Sequence, residues 1–134
     1  MSDLKRNGSE PAKSRATLVY VVDDEPMLLE LATMILEPTG VRTQTFRDPR
    51  SAMEAFQSAD PKPPLLILDY AMPRMNGLEL MEACRRIAPK TKIMLVSGTV
   101  GPDIYKNQAI KPDLFLAKPY HASVFLEKVQ ELLG

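Results

Sequence analysis

The chain has 134 residues, 45% of them hydrophobic and 25% charged, which is typical of one soluble globular domain. Its 17 basic and 17 acidic residues balance, so the composition lacks the basic excess of nucleic-acid-binding proteins. One cysteine, Cys84, excludes an internal disulfide and a cysteine-based zinc site, and no apolar run is long enough to span a bilayer.

The first 16 residues differ in composition from the rest of the chain. Residues 1–16 contain one leucine and two alanines, and they carry four basic against two acidic side chains. Such a segment has no apolar face to bury. We therefore predict a disordered N-terminal tail over 1–16 and a single folded domain over 17–134.

Five short runs of apolar or β-branched residues predict β-strands. A continuous apolar run indicates a strand buried on both faces, and the second run is more polar, which favours an edge position. The predicted strands are Leu18–Val22, Val41–Phe46, Leu65–Leu68, Ile93–Val96 and Leu114–Ala117.

Between and after these runs the apolar residues recur every three or four positions, which predicts amphipathic helices. Four helices are clearly indicated, and residues 102–109 form the weakest candidate for a fifth. The 12 prolines fall mostly at the boundaries of these elements, and Asp48 is a natural N-cap before Pro49. Alternating strands and helices predict an α/β fold, a doubly wound (βα)5 sandwich around a parallel sheet.

Polar residues follow the predicted strands at the edge where open α/β sheets carry their sites. Residues 23–25 (DDE) follow the first strand, Asp69 the third, Ser97 the fourth and Lys118 the fifth. Crowded carboxylates need a cation, and oxygen ligands without histidine or cysteine favour Mg²⁺. A carboxylate can also attack phosphorus to give an acyl phosphate. These residues together predict a magnesium-dependent phosphoryl-transfer site.

The acidic cluster 23–25, the string 69–77 (DYAMPRMNG), Ser97 and the pair Lys118-Pro119 resemble the receiver domain of bacterial two-component response regulators. The resemblance covers residues 17–134 in order and spacing. It implies a flavodoxin-like three-layer sandwich with five parallel strands in the order 2-1-3-4-5.

The resemblance also implies roles for individual residues. Asp69 would be the phosphoacceptor. Asp24, Asp69 and the backbone carbonyl of Ala71 would bind Mg²⁺ directly, and Asp23 would bind it through a water molecule. Lys118 would contact the phosphoryl group, after which a cis peptide bond leads to Pro119.

Two further residues match the switch positions of the family. Ser97 would hydrogen-bond the phosphoryl group, and Phe115 would turn inward when this happens. Two structural alternatives remain open at this point: Ser97 as a turn residue and Phe115 as a permanent part of the core. The implied output surface is formed by the family's fourth helix, fifth strand and fifth helix.

By this resemblance the protein is a cytoplasmic, single-domain response regulator and not an enzyme. Its expected partners are a sensor histidine kinase or phosphotransfer protein and a downstream protein, without nucleic acid or membrane. We expect a monomer or weak dimer, and a natural stand-alone receiver because no output domain follows.

The segment 98–114 departs from the family pattern, since it lacks the usual alanine-rich helix end and carries Lys111-Pro112-Asp113 before the last strand. We therefore expect its helix to be short, mobile or displaced. We also expect Gly77 to supply a positive φ in its loop, and Cys84 to be a core residue.

Three alternative functions are considered. A phosphohydrolase of the haloacid dehalogenase type needs a second aspartate two residues after the first, where this chain has Ala71. A flavodoxin-like cofactor binder needs a phosphate-binding loop after the first strand, where residues 23–25 would repel phosphate. A phosphorylation-independent scaffold with the receiver fold is the third alternative.

Overall fold

Five parallel strands form one sheet in the computed structural model, which describes residues 17–134; the predicted tail, 1–16, lies outside the described residues. The spatial order is β2-β1-β3-β4-β5, as predicted. The strands are β1 (Leu18–Val22), β2 (Arg42–Phe46), β3 (Leu65–Asp69), β4 (Lys92–Ser97) and β5 (Leu114–Ala117).

Four α-helices connect or follow the strands in the described part of the chain. They are α1 (Pro26–Leu36), α2 (Pro49–Ser58), α3 (Gly77–Ile87) and α4 (Ala122–Leu133). The Asp48 side chain accepts a hydrogen bond from the Ser51 amide at 2.8 Å and so caps α2, as predicted. Asn76 and Glu79 form a reciprocal capping box that starts α3, which sets where this helix begins beside the end of β3.

Helices cover both faces of the sheet, because alternate residues of each buried strand point to opposite sides. Val19 and Val21 belong to a core cluster with α1 and α4, whereas Tyr20 and Val22 belong to a second cluster with α2 and α3. Cys84 is buried in this second cluster, so the prediction of a core cysteine is confirmed. The three-layer arrangement predicted from the sequence is therefore the observed fold.

The strand register brings the carboxyl ends of the strands to one edge. Asp69 at the end of β3 is paired with Val96, so Ser97 is the next residue along β4. Ser97 is in turn paired with Ala117, so Lys118 follows at the same level. Parallel pairing thus places the residues that follow the apolar runs side by side.

The prediction of five helices is wrong at the fourth. Residues Pro102–Tyr105 form a single 3₁₀ turn, and no α-helix lies between β4 and β5. The absence of a clear apolar stripe explains this, because a short segment without one gains too little from packing to hold a helix. The expectation that this element is short is confirmed.

A polar anchor fastens the end of the segment 98–113. Asp113 exchanges hydrogen bonds with Ile93, accepting from the Ile93 amide through its carboxylate at 2.8 Å and donating its own amide to the Ile93 carbonyl at 2.9 Å. Arg85 of α3 pairs with the same carboxylate and donates to the Lys111 and Thr91 carbonyls. The unusual Lys111-Pro112-Asp113 sequence therefore docks β5 onto α3 and β4.

We predict that amides 103–111 exchange at least about tenfold faster than those of α3, because the segment has isolated turn hydrogen bonds instead of a helical ladder. Native-state hydrogen–deuterium exchange read by NMR measures this. The amide of Asp113, which is bonded within the sheet, serves as the protected internal control. Protection across 103–111 equal to that of α3 would contradict the description of this segment.

Candidate functional site

Three carboxylates meet at the carboxyl edge of the sheet. Asp23 and Asp24 follow β1 and Asp69 ends β3, and one carboxylate oxygen of each lies within 4.8 Å of the others. Asp23 and Asp69 are each only 6% exposed, and Asp24 is half-buried. The predicted convergence of these acids is therefore observed.

Lys118 is the cation of the cluster. Its Nζ lies 3.0 Å from Asp23 Oδ2, 3.0 Å from Asp69 Oδ1 and 3.9 Å from Glu25 Oε1. The side chain reaches the cluster from the loop after β5, where the Lys118–Pro119 peptide bond is cis, as predicted. One ammonium group thus bridges the two buried carboxylates.

Burial and charge act together on the titration of this cluster. Burial raises the pKa of Asp69 to about 6, the neighbouring Asp23 and Asp24 raise it too, and Lys118 opposes the shift. Burial lowers the pKa of Lys118, but its bonds to Asp23 and Asp69 outweigh this and leave its pKa above the ordinary value. The three carboxylates of the cluster also outnumber the single ammonium group of Lys118.

The raised pKa of Asp69 predicts how stability depends on pH. Between its unfolded pKa of about 4 and its folded pKa of about 6, the native state binds a proton that the unfolded state does not, so stability falls as pH rises. The variant Asp69→Asn removes the ionisable group and with it this loss of stability. Without divalent cations, it should be more stable than the wild type by on the order of 2 kcal/mol at pH 7.5.

Urea unfolding of both proteins at pH 4.5 and pH 7.5 in EDTA measures this difference. The stability gained in Asp69→Asn should shrink towards zero at the lower pH. The exposed Asp103 provides the control variant Asp103→Asn, which leaves the acidic cluster unchanged and should unfold as the wild type does. An equal difference in unfolding free energy between Asp69→Asn and the wild type at both pH values would show that the charge of Asp69 does not destabilise the native state.

The donor atoms of the cluster suit a small divalent cation, since carboxylate oxygens are its preferred ligands. The oxygens of Asp23 are both engaged, Oδ1 by the Glu25 amide at 2.9 Å and Oδ2 by Lys118. The half-buried Asp24 carboxylate has no such partner among the described residues. The proposed ligand role of the Ala71 carbonyl, in the exposed loop after Asp69, stays a prediction.

Ser97 is 1% exposed and holds the start of the segment 98–113. Its Oγ accepts hydrogen bonds from the backbone amides of Thr99, at 3.0 Å, and Val100, at 3.1 Å, and lies 3.3 Å from Thr99 Oγ1. The hydroxyl is thus a structural acceptor for the loop, and it also has a proton to donate. Its role as a switch stays a prediction.

Phe115 is half-buried and packs against the core cluster of α2 and α3. Tyr105 and Ile110 of the segment 98–113 pack against the same cluster. Phe115 therefore packs against the same core cluster as residues of the segment that replaces the fourth helix. Its role as a switch residue also stays a prediction.

The function of Gly77 was predicted wrongly. The positive φ in this loop belongs to Arg74, at 74°, and Gly77 instead begins α3, where its amide donates to the Tyr70 carbonyl at 2.9 Å. A Cβ at this position would lie 2.5 Å from the Asp69 carbonyl oxygen and 2.9 Å from Leu95 Cδ1. Glycine is required because α3 starts directly against the backbone of Asp69.

Sequence reasoning also missed Tyr120. Its pKa is raised by burial first and by the carboxylates of Asp23 and Asp69, with Lys118 opposing them. The ring stacks on Phe125 at a centroid distance of 5.0 Å. Its position two residues after Lys118 was the signal that the sequence offered.

None of the helices in the described residues has the length and apolar character needed to cross a bilayer.

The family model described as the response regulator receiver domain matches residues 19–130 of the chain.

Curated relatives cover most of this chain. The alkaline phosphatase synthesis transcriptional regulatory protein SphR of Synechococcus elongatus is 28% identical over 131 residues, covering 92% of this chain and 51% of its own. The DNA-binding response regulator MtrA of Mycolicibacterium smegmatis is 28% identical over 115 residues, covering 86% and 50%. The chain spans about half the length of the curated relatives it matches.

Solved structures share the fold. The chemotaxis protein CheY4 of Vibrio cholerae has a TM-score of 0.79 at 25% identity, covering 87% of this chain and 98% of its own. The response regulator protein TrrA of Thermotoga maritima, solved in complex with Mg²⁺ and beryllofluoride, has a TM-score of 0.75 at 29% identity, covering 87% and 98%.

Proposed function

Since the chain belongs to the response regulator receiver domain family, whose members are phosphoacceptor signalling domains, we propose that Asp69 is its phosphoacceptor and receives the phosphoryl group from a phosphohistidine. The observation that carries this proposal is the bridged cluster in which Lys118 Nζ lies 3.0 Å from both Asp23 and Asp69. A nucleophilic carboxylate, a fixed cation and a set of oxygen ligands are thereby held together.

In the proposed reaction a carboxylate oxygen of Asp69 attacks phosphorus. The new oxygen–phosphorus bond forms as the phosphorus–nitrogen bond of the donor imidazole breaks, and the imidazole leaves and takes a proton from solvent. Little further covalent chemistry is needed, so positioning and charge neutralisation supply most of the rate. Lys118 supplies a fixed positive charge next to the reacting carboxylate.

We further propose that Mg²⁺ binds at this cluster. Asp24, Asp69 and the Ala71 carbonyl would hold the ion directly, and Asp23, with both carboxylate oxygens engaged, would hold it through water. When bound, the ion neutralises charge that builds up on the transferred phosphoryl group. The excess of carboxylates over Lys118 supports this assignment, because one ammonium group cannot neutralise three carboxylates.

Phosphorylation adds about −1.5 to −2 charges and three acceptor oxygens. Lys118 is placed to pair with them, and Ser97 has a hydroxyl proton to donate. Moving a two-state equilibrium from 1:99 to 99:1 needs about 5.5 kcal/mol, and charge-assisted hydrogen bonds contribute about 1.5–3 kcal/mol each. A few such bonds suffice for a conformational switch.

The expected phosphodonor is a sensor histidine kinase or a phosphotransfer protein of the same signalling system. An exposed apolar stripe on α1 supports docking beside the acids, since Met27, Leu31 and Met34 recur along one face of the helix that follows Asp23–Glu25. Met27 and Met34 are 80% and 68% exposed. We place this exchange in the cytoplasm, as the resemblance implies.

The haloacid dehalogenase alternative is not favoured. Its second aspartate is replaced by Ala71, and the family match covers residues 19–130. A scaffold that never accepts a phosphoryl group would not need the buried, mutually repelling carboxylates, which cost stability. The geometry therefore favours the phosphoacceptor over the phosphohydrolase and the scaffold.

Beryllofluoride, a stable mimic of a phosphoryl group, tests the proposed site directly. With Mg²⁺ it should shift the NMR amide signals of Asp69, Ser97 and Lys118 in the wild type and leave Asp69→Asn unchanged. Asp103→Asn, with its exposed carboxylate, should respond as the wild type does. An equal response in Asp69→Asn would overturn the assignment of the phosphoacceptor.

A further inference from the structure

A cleft of about 850 Å³ opens at the amino edge of the sheet, at the opposite end of the strands from the acidic cluster. Its lining includes residues at the starts of four neighbouring strands: Thr17 before β1, Val41 before β2, Pro64 before β3 and Lys92 in β4. Since neighbouring strands lie about 4.8 Å apart, these strand starts span roughly 14 Å from β2 to β4. We call it the amino-edge cleft.

The walls of the amino-edge cleft are mostly apolar. Three prolines, which have no backbone amide to donate, lie beside two leucines from the last turn of α4. These residues are Pro63, Pro64, Pro89, Leu132 and Leu133. A surface of this kind gains free energy when an apolar group covers it.

The charged residues that line the cleft within residues 17–134 are all lysines. Lys90 and Lys92 are exposed and form no ion pair in this part of the chain. The Lys62 ammonium donates to the Phe56 and Gln57 carbonyls at 2.7 and 2.9 Å, which leaves its charge without a counter-ion. The cleft therefore attracts an apolar group that carries negative charge.

The outward face of α1 has the complementary character. Met27, Leu31 and Met34 are exposed, and the exposed Glu30 lies on the same face, since positions i, i+3, i+4 and i+7 of a helix share one side. α1 has no basic residue, and Glu30 forms no ion pair among the described residues. We call these four residues the α1 stripe. It is about 10 Å long, so it fits within the length of the cleft.

Two parts of the chain itself are candidate occupants of the cleft. Residues 1–16 lead into Thr17, but they carry four basic against two acidic side chains, so the three lysines disfavour them. The α1 stripe has the opposite charge, and its exposure shows that it does not fill the cleft of its own molecule. A second copy can present it, and methionine side chains adapt well to an irregular apolar surface.

We propose that the α1 stripe of one copy docks into the amino-edge cleft of a second copy. Met27, Leu31 and Met34 cover the prolines and leucines, and the Glu30 carboxylate faces the lysines. Because the two surfaces differ, the contact is heterologous, and successive copies associate head to tail. The stripe is also proposed above to dock the phosphodonor, so a copy held in this way has that docking surface covered. This consequence alone rests on the proposed function.

Sedimentation velocity of the whole chain, without Mg²⁺ or a phosphodonor, measures the association. A contact of this size is weak, so the average mass should rise only at high protein concentration, and it should fall when added salt screens the charges. Met34→Glu, in the stripe, and Lys92→Glu, in the cleft, should each associate at least tenfold more weakly than the wild type.

Lys106→Glu makes the same charge change at an exposed position outside the cleft, so it should associate as the wild type does. A wild type that stays monomeric up to millimolar concentration would overturn the inference. Wild-type association in both Met34→Glu and Lys92→Glu would also overturn it. Unchanged association in Lys92→Glu together with shifted amide signals of residues 1–16 would assign the cleft to these residues instead.

Mixing the two weakened variants tests the head-to-tail arrangement. Met34→Glu keeps an intact cleft and Lys92→Glu keeps an intact stripe, so one contact of wild-type affinity can form between them. The mixture should therefore give a one-to-one dimer and no larger species. A mixture as monomeric as its two components would overturn the inference.

Further controls keep these results distinct. The NMR amide signals away from each substitution show whether a variant is folded, and Met27→Glu, at an 80% exposed position, is the second variant of the stripe. Beryllofluoride binding is measured on separate samples. Its failure would contradict the proposed function alone, because the association is measured without it.

Discussion

Replacing Lys118 by methionine is expected to slow phosphorylation of the protein by acetyl phosphate about 100- to 1,000-fold, the effect of removing one preorganised charge from a reacting centre. Methionine keeps the length of the stem and removes the ammonium that lies 3.0 Å from Asp23 and Asp69. The pKa of Asp69 should rise above its value of about 6, because Lys118 is the group that holds it down.

The rate of adduct formation, followed by intact-protein mass spectrometry at pH 7.5 with Mg²⁺, measures this effect. Lys128→Met is the matched control, since the one ion pair of Lys128 among residues 17–134 is a surface pair with Glu131 at 3.9 Å. Its rate should equal that of the wild type. A Lys118→Met rate within threefold of the wild type would show that the ammonium is a structural tether and not part of the reaction.

Replacing Gly77 by alanine is expected to lower the free energy of unfolding by about 1–3 kcal/mol, the usual cost of forcing an extra methyl group into a packed site. The new Cβ would lie 2.5 Å from the Asp69 carbonyl oxygen, a backbone atom that can move only if the end of β3 moves. The strain therefore falls on β3, the strand that carries Asp69, and beryllofluoride binding should weaken as well.

Urea unfolding compares this variant with Gly101→Ala, whose Cβ would meet nothing within 4 Å. Gly101 has an extended backbone, with φ of −115°, so alanine is tolerated there. The control should stay within about 0.5 kcal/mol of the wild type. A Gly77→Ala protein as stable as Gly101→Ala would mean that α3 and β3 are less tightly apposed than described.

The strands and the acidic cluster were predictable because both depend on local sequence. Apolar runs such as Leu65–Leu68 mark a strand buried on two faces, and the parallel topology then brings the residue after each run to one edge. Asp23, Asp69 and Lys118 could therefore be placed together before any distance was known. The order of the sheet came from the family resemblance and not from the pattern itself.

Features that depend on close tertiary approach were not predictable in the same way. Glycine at position 77 suggested backbone freedom, but the requirement comes from the Asp69 carbonyl that packs against it. Asp69 precedes Gly77 by a whole loop, so no rule based on neighbouring residues reports this contact. The segment 98–113 has isolated turn hydrogen bonds instead of a helical ladder, and the Arg85–Asp113 pair that anchors its end joins residues far apart in sequence. The spacing of apolar residues carries no information about the contact at Gly77 or about this anchor.

The central claim is that Asp69 accepts a phosphoryl group, and the mass of the intact protein tests it most directly. Incubation with acetyl phosphate and Mg²⁺ should add the mass of one phosphoryl group to the wild type, and peptide mapping after borohydride reduction should locate it at Asp69. The Asp69→Asn variant should gain no mass. An unmodified wild type, or an equal adduct in Asp69→Asn, would contradict the assignment.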